Sequence, residues 1–177
     1  LENQINAISE QKKEVIRIAA YASIAMHWLP GIIQRFREEC PDVDVDIRMA
    51  DHVDVPYELL AQGKMDAILV SPQDEGQYEW VHLADDPMFA VLPKDFDTQG
   101  MTAFPLAAFE ARDFIMPSQG FDKDIMRIFN RIGVKPHILP TWVDDPTVIS
   151  MVSHGLGVSM MTELTVRGRT DGAKLLP

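Results

Sequence analysis

Few residues in this chain stand in a pattern that could do covalent chemistry. Ser159, within Gly157-Val158-Ser159-Met160-Met161, has the most tempting setting. It lacks the glycine-flanked turn that exposes a nucleophile, and spacing assigns it no His and Asp partners. Gly155-Leu156-Gly157 offers two glycines behind a predicted helix rather than behind a strand, so it does not fit a dinucleotide-binding turn. Asp85-Asp86 and Asp144-Asp145 are paired carboxylates, but neighbours on a strand or a helix cap diverge into solvent. His27 has no His or carboxylate four residues on, as a helical metal site would need. Cys40 is the only cysteine, which excludes an intrachain disulfide and a cysteine-based zinc site and suits a reducing cytosol. The sequence reads as no enzyme and implies neither metal nor cofactor.

What it does offer is polar groups at the starts of helices, where backbone N–H groups lack partners and favour an anionic or polar ligand. Val15 to Ala20 suits a buried strand. Ser23 then stands where a helix N-cap belongs, before Trp28, Leu29, Ile32, Ile33 and Phe36 at helical spacing. Pro30 should kink that helix or mark its true start. A strand feeding a helix in this way places a ligand at the strand's carboxyl end.

The rest of the chain repeats the arrangement. Val43, Val45, Ile47 and Met49 alternate with charged residues and predict a half-buried strand. Asp54 and Pro56 open a helix that Gly63 ends, and Met65 to Val70 is the next buried strand. Strand, helix, strand, helix, strand calls for right-handed crossovers and a largely parallel sheet. Beyond the turn-rich Lys94 to Gly100 a second series begins. It has a short helix near Pro105 to Phe109, a strand at Phe114 to Met116, and a helix from Asp122 with Ile125, Ile128, Phe129 and Ile132 on one face. Gly133 follows that helix. Ile138 to Val143 predicts a strand, Asp144-Asp145-Pro146 a capped helix start, and Ser159 to Met161 another strand. Thr162-Glu163 can open a helix and Lys174 to Leu176 a last strand. Leu1, Ile5 and Ile8 fit either the tail of an amphipathic helix or a frayed polar terminus.

Composition bounds the function. With 27 Asp plus Glu against 16 Lys plus Arg, the formal charge is −11, which repels a phosphate backbone. No stretch approaches the roughly 20 apolar residues of a membrane span.

The order of signals resembles the effector-binding (regulatory) domain of LysR-type transcriptional regulators. The matching pieces are IRIAAYASIAMHWLPGIIQRFREECPDVDVDI at Ile16 to Ile47, LLAQGKMDAILV at Leu59 to Val70, and DPMFAVLPKD at Asp86 to Asp95. RIGVKP at Arg131 to Pro136 and VDDPTVISMVSHGLGVSMMTE at Val143 to Glu163 complete them. The resemblance implies an α/β fold of two Rossmann-like lobes joined by a two-strand hinge, similar to type 2 periplasmic binding proteins. Residues 1–13 would end a linker helix, 14–92 form lobe I, 93–158 lobe II, and 159–177 return to lobe I, whose C-terminal part is missing. The hinge would run through Met88 to Lys94 and Gly155 to Met161.

The implied function is that of a cytoplasmic ligand sensor. It would bind a small-molecule effector between its lobes and pass a conformational change to an N-terminal winged helix-turn-helix, the only route to DNA. Carried over residue by residue, the effector positions are Ala22, Ser23 and Ile24, Asp51, and Ser71 on lobe I. On lobe II they are Ser118, Gln119 and Gly120, with Asp144, Pro146 and Thr147. None of these is Arg or Lys. Taken singly, Ser23 and Asp144 fit plain helix caps better than effector contacts, and both jobs can coincide, while Asp51 and His52 fit exposed loop residues as well as ligand contacts. Tyr21, Phe121 and Trp142 could wall the cleft, with Met26, Met116 and Met160 making it adaptable. The family pairing, a homodimer or homotetramer, would use Pro30 to Glu39 and Asp122 to Ile132. A transporter's solute-binding protein is the rival on the same fold, and a small-molecule enzyme the second.

Overall fold

The computed structural model describes residues 13–50, 52–73, 78–117, 122–141 and 143–177. The linker-helix expectation therefore lies outside the described residues except for Lys13. The chain divides into two compact units, one built from residues up to Ala50 and from Asp54 to Ser71, the other from Asp51 to Val53 and Pro72 to Pro177.

In the first unit, β1 (Glu14–Tyr21), β2 (Val43–Ala50) and β3 (Ala67–Leu69) form a parallel sheet in the order β2-β1-β3. The crossovers are α1 (Ala22–His27) and α2 (Leu29–Glu39), then α3 (Asp54–Ala61). Both outcomes expected of Pro30 are realised. The helical run breaks at Trp28, and α2 begins with Pro30 in its first turn, where its missing N–H costs nothing. Gly63, at φ +66°, ends the α3 segment as its position predicts.

Parallel register puts Ile16 beside Val45, Ile18 beside Ile47 and Ala20 beside Met49, giving one apolar face, while Arg17, Asp44 and Asp46 lie on the other. The half-buried strand expected at β2 is more open than that, with Ile47 40% and Met49 65% exposed. Alternation decides which face a side chain takes, but what covers that face is a tertiary matter. A two-pronged bridge secures β1 to the entry of β3. Arg17 donates from Nη2 to Asp66 Oδ1 at 2.8 Å and from Nε to Oδ2 at 3.1 Å. The backbone N–H of Arg17 reaches Oδ2 at 2.8 Å, and the Asp66 N–H returns to the Arg17 carbonyl at 2.8 Å. This fork holds the Asp66 carboxyl down at about 2.

The second unit contains β4 (Met88–Pro93), a 3-10 turn (Leu106–Phe109), β5 (Asp113–Phe114), α4 (Asp122–Ile132), β6 (His137–Ile138) and α5 (Asp145–Ser153). It ends with β7 (Ser159–Thr162), α6 (Glu163–Val166) and β8 (Ala173–Leu176). β4 lies between β7 and β8, antiparallel to both, and β5 pairs β6 in parallel. β4 is buried on both sides. Ala90 and Leu92 enter a core with Phe109, Phe114 and Phe129, and Val91 enters another with Ile115, Val148, Val152 and Met161. The three phenylalanines meet edge to face with centroids 5.2 to 5.5 Å apart.

The compact units meet in the chain at Ser71/Pro72, and the segments expected as a hinge supply β4 and β7, which pair antiparallel in the β7-β4-β8 sheet. The strand expected over Ile138 to Val143 shortens to His137–Ile138, since Pro140 has no N–H to give a ladder and the Thr141 N–H turns back to Leu139. Among the described residues, no helix is long and apolar enough to cross a membrane.

Candidate functional site

On the first unit, the candidate residues follow β1. The strand keeps its register to Tyr21 opposite Ala50, so the helix starts only at Ala22 and its N-cap is Tyr21. Ser23 is the second helical residue rather than the cap expected of it. Its hydroxyl makes no cap bond and has no partner among the described residues. Ala22 is exposed, and Ser23 and Ile24 are half-buried. Ser71 lies two residues past β3, and its carbonyl accepts from the Tyr57 hydroxyl at 2.8 Å, which ties α3 to the strand's exit. Asp51 lies outside the described residues.

On the second unit, Asp144 is the N-cap the sequence predicts. Its Oδ1 accepts from the Thr147 N–H at 3.0 Å. That bond, with the positive charge of Arg169 adding to it, holds the Asp144 carboxyl below its ordinary range. Pro146 and Thr147 are exposed on the same turn. One turn of α5 thus brings Asp144, Pro146 and Thr147 together, with the Asp144 carboxylate already used as a cap. Ser118, Gln119 and Gly120 lie outside the described residues.

Two features were not reached from the sequence. The first is a ring beside the first turn of α4, where Gln73 Nε2 donates to Asp124 Oδ1 at 3.1 Å and Arg127 Nη1 donates to the same oxygen at 3.1 Å. Arg127 Nη2 closes the ring on Gln73 Oε1, also at 3.1 Å. Asp124 and Arg127 stand three apart on a helix and were legible as a pair, but nothing in the sequence points to Gln73. The second is Arg169, a cation at the head of α5 contributed by the loop that follows α6.

The residues weighed for catalysis have other occupations. Ser159 is fully buried and donates to the Ile115 carbonyl at 2.7 Å, so its hydroxyl is committed to the fold. Gly155, at φ +75°, closes α5, and Gly157 lies against the Asp113 carbonyl, so neither belongs to a phosphate loop. Asp85 pairs with His82 at 3.1 Å in solvent. Asp86 instead accepts the Leu164 N–H at 2.9 Å in the first turn of α6. Among the described residues, no group of three or more His, Cys, Asp or Glu could hold a metal ion. Of the adaptable wall expected from methionines, Met116 and Met160 are core residues packed with the phenylalanines, and Met26 is exposed. Tyr21 is buried, while Phe121 and Trp142 lie outside the described residues.

A parallel β2-β1-β3 unit with helical crossovers, followed by a second α/β unit whose central strand runs antiparallel to its neighbours, defines the type 2 periplasmic-binding-protein-like class. Within that class the chain belongs to the LysR substrate binding domain family, whose model matches residues 9–176. It is similar to the HTH-type transcriptional regulator YvbU of Bacillus subtilis, with 24% identity over 153 residues, 86% of this chain and 52% of that protein. Among solved structures, it superposes on the CcmR regulatory domain of Synechocystis PCC6803 in complex with 2-PG with a TM-score of 0.79 and 17% identity, over 93% of this chain and 80% of that one. The effector binding domain of QuiR in complex with shikimate gives 0.78 and 19% identity, over 93% and 80%. The chain spans about half the length of the curated relatives it matches. It is an effector-sensing regulatory domain, and a transporter's binding protein is not favoured.

Proposed function

We propose that this domain senses a small polar metabolite for a LysR-type transcription regulator, working in the cytoplasm as a homodimer or homotetramer and reaching DNA through a winged helix-turn-helix. The observation that carries the reading is the family match over residues 9–176. The effector is held by Ala22, Ser23 and Ile24 with Asp51 and Ser71, and by Ser118 to Gly120 with Asp144, Pro146 and Thr147. The unpartnered Ser23 hydroxyl and the exposed Thr147 side chain supply hydrogen bonds to it. Shikimate and 2-PG, bound by the two neighbours, set the scale of a small hydroxylated or anionic metabolite. Switching is population shift: the effector favours one arrangement of the domain by the difference in its affinity for the two, and by nothing else. Assembly uses α2 and α4, which present Arg35, Arg37 and Arg127.

The test is a thermal-shift titration of the chain against small hydroxy and carboxylic acids, shikimate and 2-PG included, with light scattering on the same samples. A saturable rise in Tm on a dimer is expected, worth about 2.7 kcal/mol at a hundredfold excess over Kd. Ser23→Ala should weaken binding while moving the ligand-free Tm little. A folded monomer that responds to no acid would sink the reading, and turnover of a ligand would replace it with an enzyme.

A further inference from the structure

Asp171 is the only aspartate in the chain that a glycine follows, and no asparagine precedes a glycine. The fold puts this pair at the corner of a tight turn from Thr170 to Ala173, closed by the Ala173 N–H on the Thr170 carbonyl at 3.1 Å. Gly172 holds the third position of that turn at φ +95°, the sign a type II turn requires there. Thr170 and Asp171 are exposed. The Asp171 carboxylate has no partner among the described residues, and the Gly172 N–H donates to none of them. A carboxyl group and the amide nitrogen of the next residue are thus both uncommitted, with no side chain on Gly172 to shield the approach. Other aspartates lack one or more of these conditions. Asp66 and Asp144 spend their carboxylates on hydrogen bonds. Asp42 and Asp97 precede β-branched Val43 and Thr98, and Asp86 and Asp145 precede prolines, which have no N–H.

The chemistry open to this pair needs only the chain and water. The Gly172 nitrogen attacks Asp171 Cγ, an N–Cγ bond forms, and the carboxyl hydroxyl leaves with the amide hydrogen as water. The product is a five-membered succinimide. Water then adds to one of its two carbonyls. Opening at Cγ restores aspartate, whereas opening at the former main-chain carbonyl leaves isoaspartate, with the chain running through Cβ and Cγ and no net change in mass. The main chain grows by one carbon, about 1.5 Å. It does so where there is little slack, since Gly172 lies so close to α5 that a Cβ there would be 3.0 Å from Ser153 Cβ. β8 begins directly beyond the turn, with Ala173 opposite Pro93 and Lys174 opposite Leu92. Lys174 also donates from Nζ to the Phe96 carbonyl at 2.6 Å. β8 is the edge of its sheet and pairs with β4 alone, so a displaced turn loosens it without a second strand to hold it.

We propose that Asp171 is a site of spontaneous covalent modification, converting through a succinimide to isoaspartate and thereby loosening β8 from β4. None of the proposed effector residues takes part, and the inference does not depend on the sensing function. The test ages the purified chain at neutral pH and body temperature in heavy-oxygen water, then digests it with trypsin in ordinary water. Cleavage after Arg169 and Lys174 releases the peptide from Thr170 to Lys174. Mass spectrometry counts heavy oxygen in that peptide, and chromatography separates its isoaspartyl form from the aspartyl one. Isoaspartate should accumulate there with time, carrying one heavy oxygen, ahead of every other aspartate. The aged chain should melt about 2–4 °C below the fresh one, the shift of one net hydrogen bond in a chain of this length. Asp171→Glu keeps the charge but can close only a slower six-membered ring, so it should lose both the accumulation and the drop in Tm. Because the site is read by mass in the unaltered chain, the result stands even where the variant folds poorly. A peptide that stays aspartyl and unlabelled, earlier conversion at another aspartate, or an aged parent that melts with the fresh chain would each overturn the proposal.

Discussion

Gly157 is the position where the second unit has least room, and replacing it tests the packing directly. Its φ is outside the left-handed region, so alanine meets no left-handed strain there. The obstacle is the neighbour: an added Cβ would lie 2.7 Å from the Asp113 carbonyl oxygen and 3.2 Å from Ile115 Cγ1. That oxygen accepts the Val158 N–H at 2.9 Å, and the Ile115 N–H binds the Val158 carbonyl at 2.9 Å, so the blocking atom belongs to the seam between β5 and the approach to β7. Ile115 is fully buried and cannot swing aside. Relief requires the backbone to move by about half an ångström, which strains one or both hydrogen bonds, and overpacking of this kind costs about 1–3 kcal/mol. With a backbone obstacle the upper part of that range applies, so Gly157→Ala should lose about 2–3 kcal/mol, or roughly 5–10 °C in Tm for a chain of this length. Gly155→Ala is the comparison. It has open space around its Cβ but a φ of +75°, so it pays only the left-handed strain of about 1–2 kcal/mol. Thermal melts of the three proteins decide it. A Gly157→Ala protein melting with the parent, or less impaired than Gly155→Ala, would refute the reasoning.

Two further outcomes follow from single contacts. Asp66, held at about 2 by Arg17 against an ordinary value near 3.9, binds fewer protons folded than unfolded. Its stabilisation is therefore whole above about pH 4 and lost as pH falls toward 2. Urea midpoints of the parent should fall across that window more steeply than those of Asp66→Asn, and parallel curves would remove the fork from the account. Ser159→Ala should lose about 1–2 kcal/mol, because it strips the Ile115 carbonyl of a buried hydrogen-bond partner. An unchanged Tm would show that the Ser159 hydroxyl contributes nothing net.

Local signals carried the elements well where one helix or turn decides the outcome. Asp144-Asp145-Pro146 names its cap because the bond to the Thr147 N–H is three residues long. Gly63 and Gly133 end their helices because a positive φ suits no other residue so cheaply. Ser23 failed for the opposite reason. Its residue type was right for a cap, but β1 pairs with β2 one step further than the apolar run suggests, and Tyr21 opposite Ala50 takes the position. Met116 and Met160 read as adaptable surface until the fold put them among phenylalanines. The bond from Asp86 to Leu164 and the arrival of Arg169 at α5 join segments far apart in the chain, and no periodicity encodes them.

The same contrast separates the two units. The second unit holds both clusters of buried side chains, including every ring of the edge-to-face set. In the first, Leu29 is the only large aliphatic side chain fully buried among the described residues, and the sheet leaves Ile47 and Met49 open. The Arg17–Asp66 fork there is exposed, and exposed polar links hold less against local opening than a packed core does. Unfolding is then not required to be a single event. If the units open separately, the low-pH effect of Asp66 moves the earlier transition and Gly157→Ala the later one. If they open together, both perturbations shift one midpoint.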